Sequence, residues 1–184
     1  MKMDDSSGRA KRREILMSAL YPFLAKSTPP GSPAGFAGRP NGKHLLMDIE
    51  SFVELLNEDL ETEFQSIVQY TNHVATITGP EYLSIIDELK VHLGQELSHA
   101  QVLAEQVAFL GGTPSTSLKN VDASSDSRAA LQADLALESD QLERYRQRVT
   151  QANDLGKPDV AEALRPLLEQ TQEHVRDLRT ALGK

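Results

Sequence analysis

The sequence predicts an all-α protein: a four-helix bundle built from two pseudo-symmetric helical hairpins joined by a long crossover. Two observations support this prediction. Apolar residues recur with the 3.6-residue helical period over four long segments, which glycines and prolines separate. Many residues of the first two segments also match residues of the last two at a constant offset of 75 positions, which indicates that one hairpin is repeated.

The first hairpin is predicted to contain helices over about 48–78 and 81–110, ended by Gly79-Pro80 and Gly111-Gly112 respectively. The polar segment 113–125 then has a length suited to crossing the bundle. The residues that follow the helical period are Ile49, Phe52, Val53, Leu55, Leu56, Leu60, Phe64, Ile67, Val68 and Val74 in the first helix, and Leu83, Ile86, Leu89, Leu93, Leu97, Val102, Leu103 and Val107 in the second.

The second hairpin is predicted to contain helices over about 126–155 and 158–182. Asp126 is a suitable N-cap for the former, and Pro158 suits the first turn of the latter. Pro166 lacks a backbone donor, so we expect a bend near Glu162. The residues expected to face inward on the third helix are Leu131, Leu135, Leu142 and Val149.

The repeat includes polar residues as well as leucines. Glu63 matches Glu138, Tyr70 matches Tyr145 and His99 matches His174, whereas Glu96 matches Thr171. Counted from the two interhelical turns, Glu63, Glu96, Glu138 and His174 are 16 to 18 residues away, which is about 25 Å along a helix. These residues and His99 are therefore predicted to meet at the middle of the bundle.

Carboxylates buried in an apolar bundle require a compensating positive charge, because desolvation costs several kcal/mol per ion. The sequence suggests no buried Lys or Arg on these helix faces, and Glu96 and His99, one turn apart, project from the same face. We therefore predict a multivalent cation at mid-bundle. Oxygen and imidazole ligands in a chain without cysteine favour iron or manganese, and zinc is also able to occupy such a site.

The ordered set of motifs resembles the bacterioferritin branch of the ferritin-like superfamily, a group of di-iron carboxylate proteins. The resemblance covers roughly residues 45–182. It is carried by Leu56-Asn57-Glu58-Asp59-Leu60-Glu61-Thr62-Glu63 and Gln69-Tyr70 in the first helix, Glu96-x-x-His99 and Phe109-Leu110-Gly111-Gly112 in the second, Asp134-Leu135-Ala136-Leu137-Glu138 in the third, and His174 in the fourth.

This resemblance implies a ferritin-like bundle that oxidises Fe(II) with oxygen or peroxide at a di-iron centre. The metal ligands that it implies are Glu63, Glu96, His99, Glu138 and His174. Tyr70 and Tyr145 are expected to be core aromatics that hydrogen-bond neighbouring polar groups, and His92 is expected beside the ligands or at the surface. His44 and His73 carry no prediction.

Three departures from the family pattern modify these expectations. Thr171 replaces the fourth-helix Glu that bridges the two metals in the family, so the second metal is expected to bind weakly; Glu173 points to another face. Leu97 stands where haem-binding members have Met, so no haem is expected. The chain ends at Lys184 without the family's short fifth helix, so a large storage cage is not expected.

Two functional classes remain open from the sequence. The first is iron handling and detoxification, with ferroxidase activity toward Fe(II). The second is a ferritin-like binding or structural protein with one metal or none, which uses its N-terminal segment for assembly or partner docking. In either class we expect a homo-oligomer.

Residues 1–44 are predicted to form a separate tail ahead of the bundle at 45–184. They hold eight Lys/Arg against three Asp/Glu, whereas the remainder of this chain of net charge −8 is acidic, and Pro, Gly and Ser are dense over 27–42. Arg12-Arg13 and the apolar residues after them give a twin-arginine export signal as the alternative to a cytoplasmic location. Nucleic-acid binding is not expected, because the basic residues lack interleaved aromatics. No stretch has the roughly 20 apolar residues of a transmembrane helix.

If the tail is independent of the bundle, deleting residues 1–43 should leave helicity and melting temperature nearly unchanged while altering assembly or localisation. Circular dichroism melts and light scattering of both forms measure this. A loss of several degrees, equivalent to about 1 to 2 kcal/mol for a domain of this size, would show instead that the tail packs on the core.

Overall fold

The computed structural model describes residues 47–184, and the predictions about the tail lie outside this range. Within it the chain forms four long helices and no strand, as predicted. The helices are α1 (Ile49–Thr76), α2 (Leu83–Phe109), α3 (Ser127–Asp154) and α4 (Pro158–Ala181), and a 3-10 turn (Pro80–Tyr82) lies between α1 and α2. None of these helices is both long and apolar enough to span a bilayer.

The ends of the helices follow from local sequence. Asp48 caps α1 by accepting the backbone N–H of Ser51 at 2.8 Å, and Asp126 caps α3 by accepting that of Ala129 at 2.7 Å. Gly79, in the turn after α1, has a φ of 126°, a conformation that side chains with a Cβ rarely adopt. These signals place the helix boundaries within a few residues of the predicted ones.

The connection between α2 and α3 runs along the outside of α1. The side chain of Asn57 bonds Thr113 and Ser115, at 3.1 and 2.8 Å, and Lys119 Nζ donates to the Glu58 carbonyl at 2.8 Å. Farther on, the Asp122 N–H donates to Gln69 Oε1 at 3.1 Å. Because these bonds follow α1 over several turns, the segment crosses the length of the bundle and α3 begins at the end where α1 stops.

The buried apolar side chains form two clusters, one on each side of a polar middle layer. The first contains Phe52, Leu56, Leu60, Leu103, Val107, Val149 and Leu164, and the second contains Ile77, Ile85, Leu89, Leu131, Leu142, Val175 and Leu178. The four residues predicted to face inward on α3 are all buried. The polar layer is therefore closed from both ends of the bundle.

Three residues that follow the helical period of the first hairpin lie outside this core. Val68, Leu83 and Leu97 are 43%, 64% and 55% exposed, so their assignment to the apolar stripe is wrong. Leu83 is the first residue of α2. Leu97 directly follows buried Glu96, and successive residues of a helix are about 100° apart, so Leu97 turns toward the surface.

A buried ion pair supports the end of the bundle next to the polar layer. Arg148, on α3, donates to both carboxylate oxygens of Asp59, on α1, at 2.7 and 3.3 Å, and both side chains are 3% exposed. Burial raises the pKa of Asp59 to about 6, and the Arg148 charge opposes that rise. The expectation that no buried Arg faces the carboxylates is therefore wrong, although Arg148 bonds Asp59 and not the predicted metal ligands.

The pseudo-equivalent position holds a different pair. Asp59 matches Asp134 and Arg148 matches His73 at the 75-residue offset. His73 Nδ1 lies 2.8 Å from Asp134 Oδ1, and Gln69 Nε2 donates to the same oxygen at 2.9 Å. The fold thus repeats an acid paired with a basic side chain from the other hairpin. The two copies differ in the base and in the second neighbour of the acid, since Gln69 donates to Asp134, whereas Arg144 Nε lies 3.7 Å from Asp59 Oδ1.

Replacing Arg148 with Met should destabilise the fold by about 3 kcal/mol or more, because Asp59 then stays buried without its main partner. Urea denaturation at neutral pH measures the change. Arg148→His is the matched control, since it reproduces the pairing at Asp134, and it should recover part of the loss. The double variant Asp59→Leu/Arg148→Met should be more stable than Arg148→Met alone; equal losses in both would contradict the role of the pair.

Candidate metal centre

The four helices bring all five predicted site residues into the polar layer. Each helix contributes at least one: α1 carries Glu63, α2 carries Glu96 and His99, α3 carries Glu138 and α4 carries His174. All are at most 1% exposed. The inward positions of α2 are spaced by three or four residues, which is why Glu96 and His99 enter the layer together.

The first ligand group consists of Glu63, Glu96 and His99, with one ligand atom of each within 4.8 Å of the others. His99 Nδ1 lies 3.2 Å from Glu96 Oε2 and 3.8 Å from Glu63 Oε2. On the other side of the ring, Nε2 lies 2.7 Å from Gln170 Oε1. An Nε2–H that donates to Gln170 leaves Nδ1 directed at the carboxylates, which is the arrangement a metal-binding histidine requires.

The second ligand group consists of Glu96, Glu138 and His174, again within 4.8 Å of one another. His174 Nδ1 lies 2.9 Å from Glu96 Oε1 and 3.3 Å from Glu138 Oε2, and its Nε2 lies 2.8 Å from Gln95 Oε1. Glu96 therefore belongs to both groups and directs one carboxylate oxygen at each imidazole. This geometry supplies the second position with two carboxylates despite Thr171, which sequence reasoning did not anticipate.

Two glutamines that sequence reasoning missed orient the imidazoles. Gln95 Oε1 accepts a hydrogen bond from His174 Nε2, and Gln170 Oε1 accepts one from His99 Nε2. Each glutamine therefore orients the histidine of the other hairpin. Gln95 and Gln170 are themselves 75 positions apart. The repeat that identified the ligands therefore contained the signal for these residues as well.

Tyr70 and Tyr145 donate hydrogen bonds to the two carboxylates that each belong to one ligand group only, those of Glu138 and Glu63. This agrees with the expectation that both tyrosines are core aromatics with hydrogen-bonded hydroxyls. Tyr70 donates to Glu138 Oε1 at 2.6 Å, and Tyr145 donates to Glu63 Oε1. Gln141 Nε2 also donates to Glu63 Oε1, at 2.9 Å. In each glutamate one oxygen is fixed by a tyrosine, and the other faces the imidazole.

The electrostatics of the layer fit a site for a cation. Burial, followed by repulsion from Glu96, raises the pKa of Glu63 to about 8. Burial alone would lower the pKa of each histidine, but the adjacent carboxylates raise that of His99 to about 11 and that of His174 to about 9. Glu63 Oε2 and Glu96 Oε1 are buried and accept no hydrogen bond of suitable geometry, although Glu96 Oε1 lies only 2.9 Å from His174 Nδ1. Unbonded carboxylate oxygens facing imidazole nitrogens are the donor set that a divalent metal ion uses.

The remaining histidines have distinct environments. His92 is buried and stacks on His174, with ring centroids 4.0 Å apart. Burial, followed by the His174 charge, lowers the pKa of His92 to about 4. His73 is buried in the pair with Asp134 described above, and His44 lies before the first described residue. Thr171 is 1% exposed and brings no carboxylate to either ligand group.

Comparisons with known proteins agree with this architecture. The chain is 24% identical to a bacterioferritin of Mycobacterium leprae (strain TN) over 132 residues, which cover 71% of this chain and 83% of that protein. A solved structure described as a ferritin-like, diiron-carboxylate protein from Bacillus anthracis str. Ames superposes with a TM-score of 0.70 at 29% identity, covering 74% of this chain and 99% of that one.

A second solved structure, a dodecameric thioferritin described as the bacterioferritin-related protein from Bacteroides fragilis, has a TM-score of 0.65 at 23% identity and covers 75% of this chain and 88% of that one. The model of the ferritin-like domain family matches residues 53–184, which hold all four helices apart from the first turn of α1. The chain therefore belongs to the ferritin-like family.

Proposed function

We propose that this protein handles iron and oxidises Fe(II) with oxygen or peroxide at a two-metal centre in the polar layer. The observation that carries the proposal is the position of Glu96, whose two carboxylate oxygens face two imidazoles from different hairpins. A carboxylate placed in this way bridges two ligand groups. The similarity to a bacterioferritin and to a diiron-carboxylate protein supports iron as the metal.

In this proposal Glu63, Glu96 and His99 hold the first iron, and Glu96, Glu138 and His174 hold the second. Manganese or zinc is able to occupy the same ligands, since affinity alone separates divalent metals poorly. The two ions would supply one electron each, so that one peroxide and two protons give two waters.

The surrounding residues would fix the ligands before any ion arrives. Tyr70 and Tyr145 hold the terminal carboxylates, and Gln95 and Gln170 hold the imidazoles, so little reorganisation accompanies binding. The apolar clusters on both sides of the layer limit the access of water. With Thr171 in place of a second bridging carboxylate, each group has three ligands.

The alternative is a ferritin-like binding or structural protein with one metal or none. This alternative is supported by Thr171, which stands where the repeat would place a second carboxylate equivalent to Glu96. Both functions are compatible with a homo-oligomer, because α2 exposes Leu83, Val91 and Leu97 on its outer surface. Gly94 lies among them, and a Cβ added there would meet no atom within 4 Å, so the space beside this stretch of helix is open.

Binding of Fe(II) in the absence of oxygen should stabilise the chelator-stripped protein. At a free-metal concentration a hundredfold above the dissociation constant the gain is about 2.7 kcal/mol, a rise of several degrees in melting temperature. Glu96→Gln should abolish the rise, because both ligand groups lose their shared carboxylate. Glu105→Gln, which removes an exposed carboxylate from the same helix, is the control and should behave like the wild type.

Admitting oxygen or peroxide to the Fe(II)-loaded protein then tests the reaction. Consumption of the oxidant that exceeds the rate in buffer, and that is lost in Glu96→Gln, is the expected result. A wild type that shows the metal-dependent rise without consuming oxidant would favour the binding function. A wild type with no metal-dependent rise would refute the centre itself.

Thr171→Glu should raise metal occupancy, because a carboxylate at this buried position restores the pseudo-equivalent of Glu96 and adds a fourth ligand. Metal per chain and dissociation constants from anaerobic Fe(II) titration measure the effect. Thr171→Gln is the matched control, since it adds the same volume without the charge. Equal affinities for the Glu and Gln variants would show that position 171 does not reach the ions.

A further inference from the structure

We propose that the groove between α3 and α4, which is lined by Arg146, Arg176 and Arg179, binds an oligophosphate, either free or as the phosphate chain of a nucleotide. The groove is formed by residues of the second hairpin and includes none of the buried metal ligands. The proposal is therefore independent of the function proposed above, and its test does not require a working metal centre.

The charge of this groove is opposite to that of the bundle around it. Residues 45–184 hold eleven Lys/Arg against twenty-four Asp/Glu, yet four of the eleven and none of the twenty-four line the groove. The fourth basic residue, Lys184, also carries the terminal carboxylate, so the three arginines supply the net positive charge. The carbonyl end of α4, equivalent to roughly half a negative charge, reduces it only in part. A cleft lined by one sign of charge concentrates ions of the opposite sign.

The arginines belong to both walls of the groove. Arg146 is on α3, whereas Arg176 and Arg179 are on α4, and the nearly buried side chains of Leu142 and Val175 also line the groove. The groove has a volume of about 380 Å³. An anion bound there would be contacted from two helices, and a guanidinium offers phosphate oxygens two parallel N–H donors.

The guanidinium groups are only weakly engaged by the carboxylates near them. Arg146, which is 53% exposed, lies 3.4 Å from Glu143, and Arg176, which is 67% exposed, lies 3.3 Å from Asp177. Ion pairs as exposed as these contribute little free energy, so a multivalent anion is able to displace them. Arg179 forms no ion pair with a carboxylate in the part of the chain that the structure describes.

The three arginines are present in one copy of the repeat only. At the 75-residue offset their pseudo-equivalents in the first hairpin are uncharged, namely Thr71, Gln101 and Ala104. The first hairpin therefore packs its two helices without positive charge at these positions. Packing of a hairpin does not require the arginines, which supports a separate role for them in the second copy.

The number of positive charges selects the class of anion. A carboxylate carries one negative charge and a phosphate monoester about 1.5 to 2 at neutral pH, so two or more linked phosphate groups are needed to balance three guanidiniums. Gln172, also in the wall, adds an uncharged amide donor. The residues lining the groove include no aromatic side chain on which a nucleotide base would stack. The groove therefore fits the phosphate chain and not the base.

Isothermal titration of the full-length protein with tripolyphosphate tests the site, in about 0.15 M salt to screen weak long-range attraction. Arg146→Gln and Arg179→Gln should each weaken binding about tenfold, and the double variant about a hundredfold. Arg165→Gln, which removes an arginine of α4 that is 52% exposed and outside the groove, is the matched control and should bind like the wild type. The basic tail is present in every protein compared, so the differences isolate the groove.

Binding by the double variant as tight as that of the wild type would overturn the site, as would an equal loss in Arg165→Gln. ATP should bind about as tightly as tripolyphosphate, and binding of ATP alone would refute recognition of the phosphate chain. Light scattering without any anion should give the same particle size for the wild type and the double variant. A smaller particle in the double variant would assign the groove to a contact between copies of the chain and overturn the proposal.

Discussion

The burial of three carboxylates in one layer is the constraint on which the rest of this structure depends. Glu63, Glu96 and Glu138 are removed from water at the centre of an apolar bundle, where an uncompensated charge would cost several kcal/mol. His99 and His174 face them, and each histidine is oriented by a glutamine from the other hairpin. The layer is thus arranged around positive charge, and the two apolar clusters enclose it.

The pseudo-two-fold relation explains how so many polar groups are satisfied at once. Several polar contacts have a counterpart 75 residues away, and these bonds run between hairpins: Tyr70 to Glu138, Tyr145 to Glu63, and an acid to a base at Asp59 and Asp134. Bonds that cross the interface specify how the hairpins dock, because an alternative docking would leave these buried groups without partners.

The departures from this symmetry are informative for function. Thr171 removes one of two pseudo-equivalent carboxylates, which leaves Glu96 as the only carboxylate shared by both ligand groups. His92 is present on one side only and is in contact with the imidazole of the second group. The two ligand groups are therefore unequal in their surroundings.

The sequence by itself determined the four helices, their boundaries to within a few residues and the five residues of the polar layer, because helical period, turn residues and an internal repeat are all local or additive signals. It did not reveal that Glu96 reaches His174, that Arg148 lies against Asp59, or that His92 stacks on His174. Each of these contacts joins side chains from different helices, and the rotation and height of packed helices decide them. Val68 and Leu97 also show what the sequence could not decide. The apolar period predicted them to be buried, but the orientation of α1 and α2 in the tertiary structure leaves them exposed.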